Sequence, residues 1–521
     1  KPLAVMIADL DAANMHVALT DAERDLLSSP NAPIVLVLRK SNTAIAAQVA
    51  PGQRYLGVML PYTPLHHLLL AAVGLPLVMT SGNLSEEPIA RDNDEALRRL
   101  GAIADGFLMH NRDIYARYDD SVWFAPASGP QPIRRARGYA PSPVRLPFEM
   151  RPILACGAEL KNTFCLTRDR YAFLSQHIGD MENLETFEHY QETVALYRRL
   201  FHVAPEIVAY DMHPDYMATH YGREQNGEKI AVQHHHAHLA ACLADNGIAE
   251  PAIGVIWDGT GYGLDGRIWG GEFLVGDGRG FQRAAHLQYL PLPGGDRATI
   301  KPYRVALAYH QALGGGDTLP EALAIAPAAE RQALRQMIER NVNTPLTSSA
   351  GRLFDAVSSL LGVCRETSYE AQAAIEMEMI AEPDSDAVAY SWGYAETDAV
   401  QSWGVVRPWV SRNLELGLAS LWAGLERDLA EGHTIAHIAW RFHFTVAAMI
   451  ADTCGRLRAE TGLDRVALSG GCFQNRLLLE FVVPRLQAMG FQVLLHRQIP
   501  CNDGGLALGQ AVIAHYAVGG G

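Results

Sequence analysis

Two histidines spaced four residues apart are the sharpest chemical signal in the sequence. They lie in residues 232–238 (VQHHHAH), where a short apolar run leads into a helix-like segment. If the helix begins near the glutamine, His234 and His238 project from one face, one turn apart, which is a metal-ligand spacing. Two imidazoles hold a divalent ion only weakly, so Asp258 and Asp503 are candidates for the remaining ligands. The alternative is that the histidines only cap a helix and bond to local carbonyls.

Glycine-rich turns after apolar runs are the second signal. One such run, 252–257, is followed by DGTGYG, and another, 466–469, is followed by GGCFQN. Glycine allows the backbone to turn tightly and lets a ligand approach closely. These turns therefore predict nucleotide contacts at Gly259, Gly261, Gly470, Gly471 and Asn475. A plain hairpin turn is the alternative at Asp258, and helix N-capping is the alternative at Asp503.

Three further polar residues are candidate nucleotide contacts in the same part of the chain. Lys161 lies in a turn between two β-rich runs, an arrangement that can wrap backbone N–H groups around a phosphate. Asp355 lies close to the apolar face of a helix predicted over 347–362, and a buried aspartate needs a partner or a ligand. Glu370 lies among small residues, although a solvent-facing helix start explains it almost as well.

The first 145 residues carry polar clusters at the ends of β-rich runs. Thr80, Ser81 and Asn83 follow one buried run, and Ser121 lies in the cluster YDDSVW. Residues 134–138 (RRARG) place three arginines within four positions, which favours an anion site for phosphate oxygens. A solvated basic edge is the alternative to that anion site.

Short strands alternating with helix-like stretches must position these residues, which predicts an α/β fold in both halves. A proline-rich stretch at 141–152 predicts a linker between domains at 1–145 and 150–521. The repeated pattern of strand, glycine turn and returning strand predicts an internally duplicated second domain.

Composition restricts the function classes. The chain has 521 residues, 49% of them hydrophobic, which suits several soluble globular domains. A net charge of −14 argues against a nucleic-acid partner held through phosphates. The seven cysteines are scattered without a CxxC pair, which fits a reducing cytoplasm, and no apolar run is long enough to cross a membrane. Because the sequence begins at Lys1 without methionine, we expect a fragment.

The first segment resembles the YrdC-like family. The resemblance rests on residues 1–6 (KPLAVM), 80–83 (TSGN), 119–122 (DDSV) and 134–138 (RRARG), which occur in that family's order. It implies a twisted α/β domain that binds ATP and Mg²⁺ and adenylates a carbamate-type carboxylate. It also implies nucleotide contacts from Ser81, Asn83 and Ser121 and phosphate contacts from Lys1, Arg134 or Arg137. Family members carry further strands upstream, so we expect this domain to be N-terminally incomplete.

The second segment resembles the TsaD-like branch of the actin/Hsp70/sugar-kinase superfold, which is RNase H-like and duplicated. The two histidines, the Asp258 loop, Gly470-Gly471 with Asn475, and Asp503 occur in the expected order. The resemblance implies that His234, His238 and Asp503 hold a divalent metal, iron or zinc in the first place. Asp258 is the expected fourth ligand.

A YrdC-like domain followed by a TsaD-like one is similar to the carbamoyltransferase family of nickel–iron hydrogenase maturation (HypF). That resemblance implies that carbamate from carbamoyl phosphate becomes carbamoyl-AMP and passes to a cysteine thiolate of the partner HypE. The family's acylphosphatase domain and zinc-binding CxxC repeats are not visible in the sequence. The rival interpretations are a small-molecule O-carbamoyltransferase, a tRNA threonylcarbamoylation enzyme and a non-catalytic nucleotide-binding scaffold.

Overall fold

A computed structural model describes residues 2–84, 87–316, 318–397, 400–406 and 408–519. The strands are β1 (Ala4–Met6), β2 (Val17–Ala18), β3 (Ile34–Arg39), β4 (Tyr55–Met59), β5 (Leu77–Met79), β6 (Val122–Phe124), β7 (Gln131–Arg134), β8 (Val144–Met150), β9 (Ile153–Ala155), β10 (Cys165–Leu174), β11 (Ile207–Asp211), β12 (Glu228–Val232), β13 (Ala252–Tyr262), β14 (Ile268–Asp277), β15 (Gly280–Leu287), β16 (Leu290–Pro291), β17 (Leu346–Thr347), β18 (Gly393–Thr397), β19 (Ser402–Gly404), β20 (Asn413–Gly417), β21 (Arg465–Ser469) and β22 (Gln492–Leu494).

The helices are α1 (Leu10–His16), α2 (Asp21–Ser28), α3 (Pro64–Val73), α4 (Asn93–Leu100), α5 (Leu184–Leu200), α6 (Met217–Glu224), α7 (His234–Asp245), α8 (Asp296–Ile300), α9 (Pro302–Ala312), α10 (Glu321–Ala324), α11 (Ala328–Glu339), α12 (Ala350–Leu360), α13 (Gln372–Ile380), α14 (Ala419–Ala430), α15 (Ile435–Thr461), α16 (Arg476–Ala488) and α17 (Leu506–Ala517). Short 3₁₀ turns occupy Ala47–Val49, Gly471–Gln474 and Asp503–Gly505.

Two compact units divide the chain. The first comprises Lys1–Val232, Ala244–Ile248 and His496–Gly521, and the second comprises Gln233–Leu243 and Ala249–Leu495. The predicted domain boundary at residues 145–150 lies inside the first unit, and that boundary stays a prediction. The expected linker at 141–152 is instead largely strand β8, because Val144 and Leu146 alternate with exposed residues and bury one face of the strand.

The first unit contains two sheets. The first has the order β5-β1-β4-β3-β6-β7, with β2 paired to β3, and its core includes the fully buried Val35, Val37, Leu56 and Val58. The alternation of buried and less buried positions along β3 explains why this apolar run forms a strand with one core-facing side. The second sheet has the order β12-β11-β9-β10-β8, against which α17 packs.

The second unit is organised around a ten-stranded sheet. Its main path is β18-β20-β15-β14-β13-β21-β22, in which β13, β14 and β15 form an antiparallel meander and β21 and β22 continue parallel to β13. The five-stranded sheet repeats this scheme, since β9 pairs antiparallel with β10 and parallel with β11, which pairs parallel with β12. The two sheets confirm the predicted duplication.

Among the helices of the described residues, none combines the length and the apolar character that a membrane crossing requires.

Candidate functional site

Helix α7 begins at His234, as the sequence predicts, and the side chain of Gln233 caps its first turn. The Gln233 Oε1 accepts a hydrogen bond of 2.8 Å from the backbone N–H of His236, which satisfies one of the free donors of the first turn. His234 and His238 follow one turn apart, with ring centroids 5.1 Å apart, and each is only 1% exposed. The predicted common face of the two rings is therefore confirmed.

Asp258 meets both rings. Its Oδ2 lies 3.2 Å from the Nε2 of His238 and 3.6 Å from the Nε2 of His234. The ligand atoms of these three residues lie within 4.8 Å of one another. We call His234, His238 and Asp258 the histidine–aspartate cluster. Two imidazole nitrogens and one carboxylate oxygen form a donor set that suits zinc or iron.

The carboxylate of Asp258 is oriented by backbone donors from two elements. Its Oδ1 accepts hydrogen bonds from the N–H of Gly259 at 2.8 Å and from the N–H of Gly471 at 3.1 Å. Burial acts to raise the pKa of Asp258, but hydrogen bonds and charge interactions with His234 and His238 lower that pKa well below its usual value. The carboxylate therefore stays ionised, as a metal ligand must be.

The glycines of the predicted nucleotide turns shape this cluster. A Cβ atom at Gly261 would lie 2.3 Å from the Cε1 of His235 and 2.9 Å from the Cδ2 of His234. Gly470 has a φ of 102°, and a Cβ there would lie 2.2 Å from the carbonyl oxygen of Trp257. The N–H groups of Gly259 and Gly471 donate to the carboxylate of Asp258. A contact of these four glycines with a nucleotide stays a prediction.

Asp258 does not lie at the tip of a hairpin. Strand β13 continues through it to Tyr262, and the pairing register with β14 shifts between Trp257 and Gly261. Such a bulge turns a side chain away from its regular position in the strand. The expectation that the strand ends at Trp257 is therefore wrong, because the glycines accommodate a bulge rather than a turn.

Two serines next to the cluster were not singled out from the sequence. Ser469 Oγ lies 3.4 Å from the Nδ1 of His238, and Ser349 Oγ lies 3.0 Å from the carbonyl oxygen of Asp258 and 2.7 Å from that of Gly259. Ser349 also accepts a hydrogen bond from the N–H of Arg352 and so caps α12. A serine directly before an apolar helix is a capping signal, and it could have identified Ser349.

The other predicted nucleotide residues of the second unit have protein partners. Asp355 is buried, and its Oδ2 lies 2.9 Å from the Nε of Arg352. Asn475 caps α16 by accepting from the N–H of Leu478, and its Nδ2 lies 3.0 Å from the Nε2 of His443. Both polar ends of Asn475 are thus occupied within the protein. Glu370 is exposed in the turn before α13. Nucleotide contacts from these residues stay predictions.

In the first unit, the predicted ATP residues do not meet at one end of the sheet. Met79 pairs with Ala4, so Thr80, Ser81 and Asn83 continue beyond one end of the strands, with Ser81 Oγ 2.5 Å from Asn83 Oδ1. Ser121 precedes β6, whose first residue pairs beside Ile34 at the opposite end. The buried Ser121 hydroxyl donates to the carbonyl of Arg137 and accepts from the N–H of Ala136. A common pocket for these residues stays a prediction.

The arginine loop, residues 134–138, has mainly internal partners. Arg137 donates to the Oδ1 of Asp120 at 2.7 Å and to the carbonyl oxygen of Ala32 at 2.7 Å, and it lies 3.4 Å from the ring centroid of Tyr62. Arg135 is buried and donates to backbone carbonyls. Arg134 has a single looser contact with Asp119 at 3.5 Å and a side chain that is 32% exposed. The prediction of three arginines aimed at phosphate is therefore wrong for Arg135, and a phosphate would have to replace existing partners of Arg137.

Lys161 and Asp503 lie in two adjoining turns of the first unit. Lys161 donates its backbone N–H to Asp180 at 2.7 Å, and Thr163 Oγ1 donates to the carbonyl of Gly504 at 3.0 Å. The side chain of Asn502, rather than that of Asp503, accepts the N–H of Gly504 and caps the following turn. The capping alternative for Asp503 is therefore wrong, and its role as a ligand stays a prediction. Lys1 lies outside the described residues.

Comparisons with known proteins agree with the order of these parts. Residues 1–136 match the Sua5/YciO/YrdC family model, described as telomere recombination. Residues 149–245 match the HypF Kae1-like domain, and residues 254–510 match the second subdomain of the carbamoyltransferase Kae1-like domain.

Individual relatives match almost the whole chain. Carbamoyltransferase HypF2 of Cupriavidus necator is 43% identical over 99% of this chain and 67% of its own length. Carbamoyltransferase HypF of Synechocystis is 38% identical over 98% of this chain and 66% of its own length. This chain thus spans about two thirds of the length of these relatives.

Two solved structures share the fold. A full-length HypF in the phosphate- and nucleotide-bound form superposes with a TM-score of 0.94 at 42% identity, covering 100% of this chain and 80% of that chain. A HypF from T. kodakarensis gives a TM-score of 0.88 at 30% identity, covering 100% of this chain and 68% of that one. The YrdC-like and RNase H-like fold classes expected from the sequence are confirmed.

Proposed function

Because this chain belongs to the HypF carbamoyltransferase family, we propose that it is an ATP-dependent carbamoyltransferase of hydrogenase maturation. In the proposed reaction, carbamate derived from carbamoyl phosphate attacks the α-phosphorus of ATP, and pyrophosphate leaves. The carbamoyl group of the resulting carbamoyl-AMP then passes to the C-terminal cysteine thiolate of HypE, and AMP leaves. The carbamoylated thiol is the precursor of a cyanide ligand of a nickel–iron centre.

The histidine–aspartate cluster is the observation that carries this proposal. Its two imidazole nitrogens and one carboxylate oxygen face one another in a buried setting, within 4.8 Å, which supports a transfer centre built on a cation. The Ser469 contact to the Nδ1 of His238 leaves the Nε2 of that ring directed at Asp258. Metal-ligating histidines commonly have such a contact at the ring nitrogen that does not bind the metal, because it holds the ring in one orientation.

We propose that His234, His238 and Asp258 hold iron or zinc, with Asp503 as the fourth ligand. The fit rests on the donor set, since imidazole nitrogens and carboxylate oxygens suit either metal. When bound, such a cation polarises a carbonyl or phosphoryl oxygen and stabilises the negative charge that develops there. The protein's own part is to orient the ligands through Gly259, Gly471 and Ser469.

We propose two nucleotide sites, and a relative solved in the nucleotide-bound form supports nucleotide binding in the family. The adenylation site lies in the YrdC-like segment, with Ser81, Asn83 and Arg134 as its contacts and Mg²⁺ on the phosphates. Arg134 is the arginine of its loop with the loosest internal contact, which supports a role toward phosphate. The second site adjoins the cluster, with Gly259 and Gly470 near the adenylate.

The acceptor thiol is proposed to come from outside the chain. None of the seven cysteines, all of which lie in the described residues, forms a disulfide, and six of them are buried. Burial raises the pKa of Cys156 to about 12 and that of Cys364 to about 12, and it raises the pKa values of Cys165 and Cys454 as well. A thiol with a raised pKa is a poor nucleophile at neutral pH. An external thiolate from HypE avoids this limitation.

A two-stage assay tests the proposal. The chain is incubated with ATP, Mg²⁺ and either carbamate or carbamoyl phosphate, and carbamate-dependent pyrophosphate release is measured. HypE, or HypE with its terminal cysteine replaced by serine, is then added, and carbamoylation is followed by mass spectrometry. We expect pyrophosphate release in the first stage and a mass increase only with the cysteine form.

The outcomes separate the alternatives. Transfer to a small hydroxylated molecule but not to HypE would favour an O-carbamoyltransferase, whereas nucleotide binding without any pyrophosphate release would favour a non-catalytic scaffold. Cys472→Ser supplies the internal control, because Cys472 is the one cysteine that is not buried. Loss of transfer in that variant would contradict an external acceptor.

A further inference from the structure

A cavity lined by three arginines lies in the first unit, away from the residues assigned above. Its volume is about 190 Å³, and it is bounded by Arg91, Tyr115 and Arg117 on one side and by His189, Glu192 and Arg199 on the other. The first group belongs to the segment that matches the YrdC family model, and the second group belongs to α5, in the segment that matches the HypF Kae1-like domain. The cavity is therefore formed by side chains from two parts of the sequence.

The charges of the lining residues do not balance. Glu192 is the carboxylate among them, and its Oε2 lies 3.3 Å from Arg91 Nη1 and 3.8 Å from Arg117 Nη1. Glu95 approaches Arg117 from outside the cavity at 3.4 Å and also pairs with Arg99. Arg199 donates a hydrogen bond to the hydroxyl oxygen of Tyr115. The lining thus contains one carboxylate and three guanidinium groups, and the carboxylate contacts two of the three.

The lowered pKa of His189 is consistent with a positive electrostatic potential in the cavity. Burial, together with the charges of Arg117 and Arg91, lowers the pKa of His189 to about 4. The imidazole is therefore neutral at pH 7 and adds no charge of its own. Its Nδ1 lies 3.4 Å from Thr193 Oγ1, which holds the ring against the helix.

We propose that this cavity binds a free phosphate-type anion, inorganic phosphate or pyrophosphate, between the two segments. Glu192 marks the position, because its carboxylate oxygen already occupies the point on which two guanidinium groups converge. Its side chain is 58% exposed, so it can swing into solvent when an anion arrives. A tetrahedral anion offers more oxygen atoms to the three guanidinium groups than one carboxylate does.

The consequence of binding is a link between the two segments. Arg91 and Arg117 precede β6, whereas Arg199 lies in the last turn of α5, so one anion would connect residues about 80 to 110 positions apart in the sequence. The site does not require the proposed transfer reaction, since it contains none of its residues. It would, however, respond to pyrophosphate if the chain releases it.

Arg198 and Arg199 provide a matched pair for the test. They are neighbours in the last turn of α5, both are exposed, and only Arg199 lines the cavity. Hydrogen exchange of the 521-residue chain is measured by mass spectrometry over residues 87–118 and 184–200, at constant ionic strength and without Mg²⁺. The titrants are inorganic phosphate, pyrophosphate, ATP and chloride. The variants are Arg199→Ala, Arg198→Ala and Glu192→Gln, with His238→Ala to report on the cluster.

We expect phosphate or pyrophosphate, but not chloride, to protect both peptides in the wild type, in Arg198→Ala and in His238→Ala. Arg199→Ala should weaken this binding about 10-fold, because it removes one guanidinium group and its hydrogen bonds to a charged ligand. Glu192→Gln should strengthen it, because a competing carboxylate is removed. Equal effects of the two arginine variants, weaker binding in Glu192→Gln, or protection by ATP alone would each overturn the proposal.

Discussion

Two parts of the sequence concentrate functional side chains. They are the histidine–aspartate cluster of the second unit and the arginine loop of the first unit. In the cluster, both imidazoles are directed at one carboxylate oxygen, and the surrounding backbone and serine contacts orient the ligands. In the arginine loop, Arg135 and Arg137 donate instead to carbonyl and carboxylate oxygens of the protein. Two groups of functional residues that look alike in the sequence therefore have different partners: the side chains of the cluster contact one another, and those of the loop bind the surrounding protein.

The partners of a side chain therefore decide its function more than its residue type does. A buried polar group is stable only when its hydrogen bonds are satisfied, and a guanidinium group that satisfies carbonyls of distant loops is a structural element. In the cluster, by contrast, two imidazole nitrogens and a carboxylate oxygen lie within 4.8 Å of one another. Four predictions test whether this comparison is correct.

The largest effect is expected from His238→Ala. Loss of residues that only support a metal ligand typically lowers metal affinity about 10–100-fold, so loss of the ligand itself should exceed about 100-fold. Metal content after dialysis, measured by plasma mass spectrometry, and carbamoyl transfer to HypE are the readouts. Carbamate-dependent pyrophosphate release should persist, since the proposed adenylation site lies elsewhere. If the variant kept its full metal content, the proposal that the cluster is the metal centre would be wrong.

A smaller loss is expected from Gly261→Ala. The added Cβ would lie 2.3 Å from the Cε1 of His235 and 2.9 Å from the Cδ2 of His234, so the rings must shift. Because these rings are buried, we expect metal affinity to fall about 10–100-fold without loss of the ligands themselves. Gly393→Ala is the matched control, since a Cβ at that glycine meets nothing within 4 Å. Equal metal affinity of the two variants would show that close packing of Gly261 is unimportant.

Much of the cluster could be predicted from the sequence, because its geometry is local. The start of α7 and the one-turn spacing of His234 and His238 depend on residues next to one another in the chain. The repeated strand pattern similarly predicted the duplicated sheets, since apolar runs and glycine turns are local signals. The choice of Asp258 as a ligand also agrees with its distances to the two histidines.

The contacts that could not be predicted are those between residues far apart in sequence. Arg137 donates to the carbonyl of Ala32, 105 positions away, and Gly471 donates to Asp258 across 213 positions. Backbone carbonyl and N–H groups have no sequence signature, so neither partner is visible in a motif. The packing of Gly261 against the rings of His234 and His235 was not predicted either, because those residues lie more than 25 positions away in the sequence.

Acid should affect the surroundings of the cluster more than the arginine loop, because imidazoles titrate in this range and guanidinium groups do not. Burial lowers the pKa of His443, the partner of Asn475, to about 4, whereas an unfolded histidine has a pKa of about 6.5. The stability contributed by neutral His443 is therefore complete above pH 6.5 and is lost as the pH falls towards 4.

Between pH 6.5 and pH 5, this residue alone should lower the free energy of unfolding by about 2 kcal/mol. The measurement is the difference in pH dependence between the wild type and His443→Gln, obtained from urea unfolding at each pH. The amide keeps a hydrogen-bonding group beside Asn475 but does not titrate. Parallel pH profiles of the two proteins would contradict the assignment of a lowered pKa to His443.

The smallest effect, and the one that tests the arginine loop itself, comes from comparing Arg137→Ala with Arg134→Ala. Arg137 binds Asp120 and two carbonyl oxygens, so its loss should destabilise the chain by about 1–2 kcal/mol. The looser, partly exposed pair of Arg134 and Asp119 should contribute about 0–1 kcal/mol. The KM for ATP in pyrophosphate release should change in the opposite order, rising more for Arg134→Ala, because a phosphate can displace its single loose partner. Urea unfolding and the ATP dependence of pyrophosphate release measure the two quantities. If Arg137→Ala raised the KM for ATP while leaving stability unchanged, its internal partners would be incidental, and the contrast between the loop and the cluster would disappear.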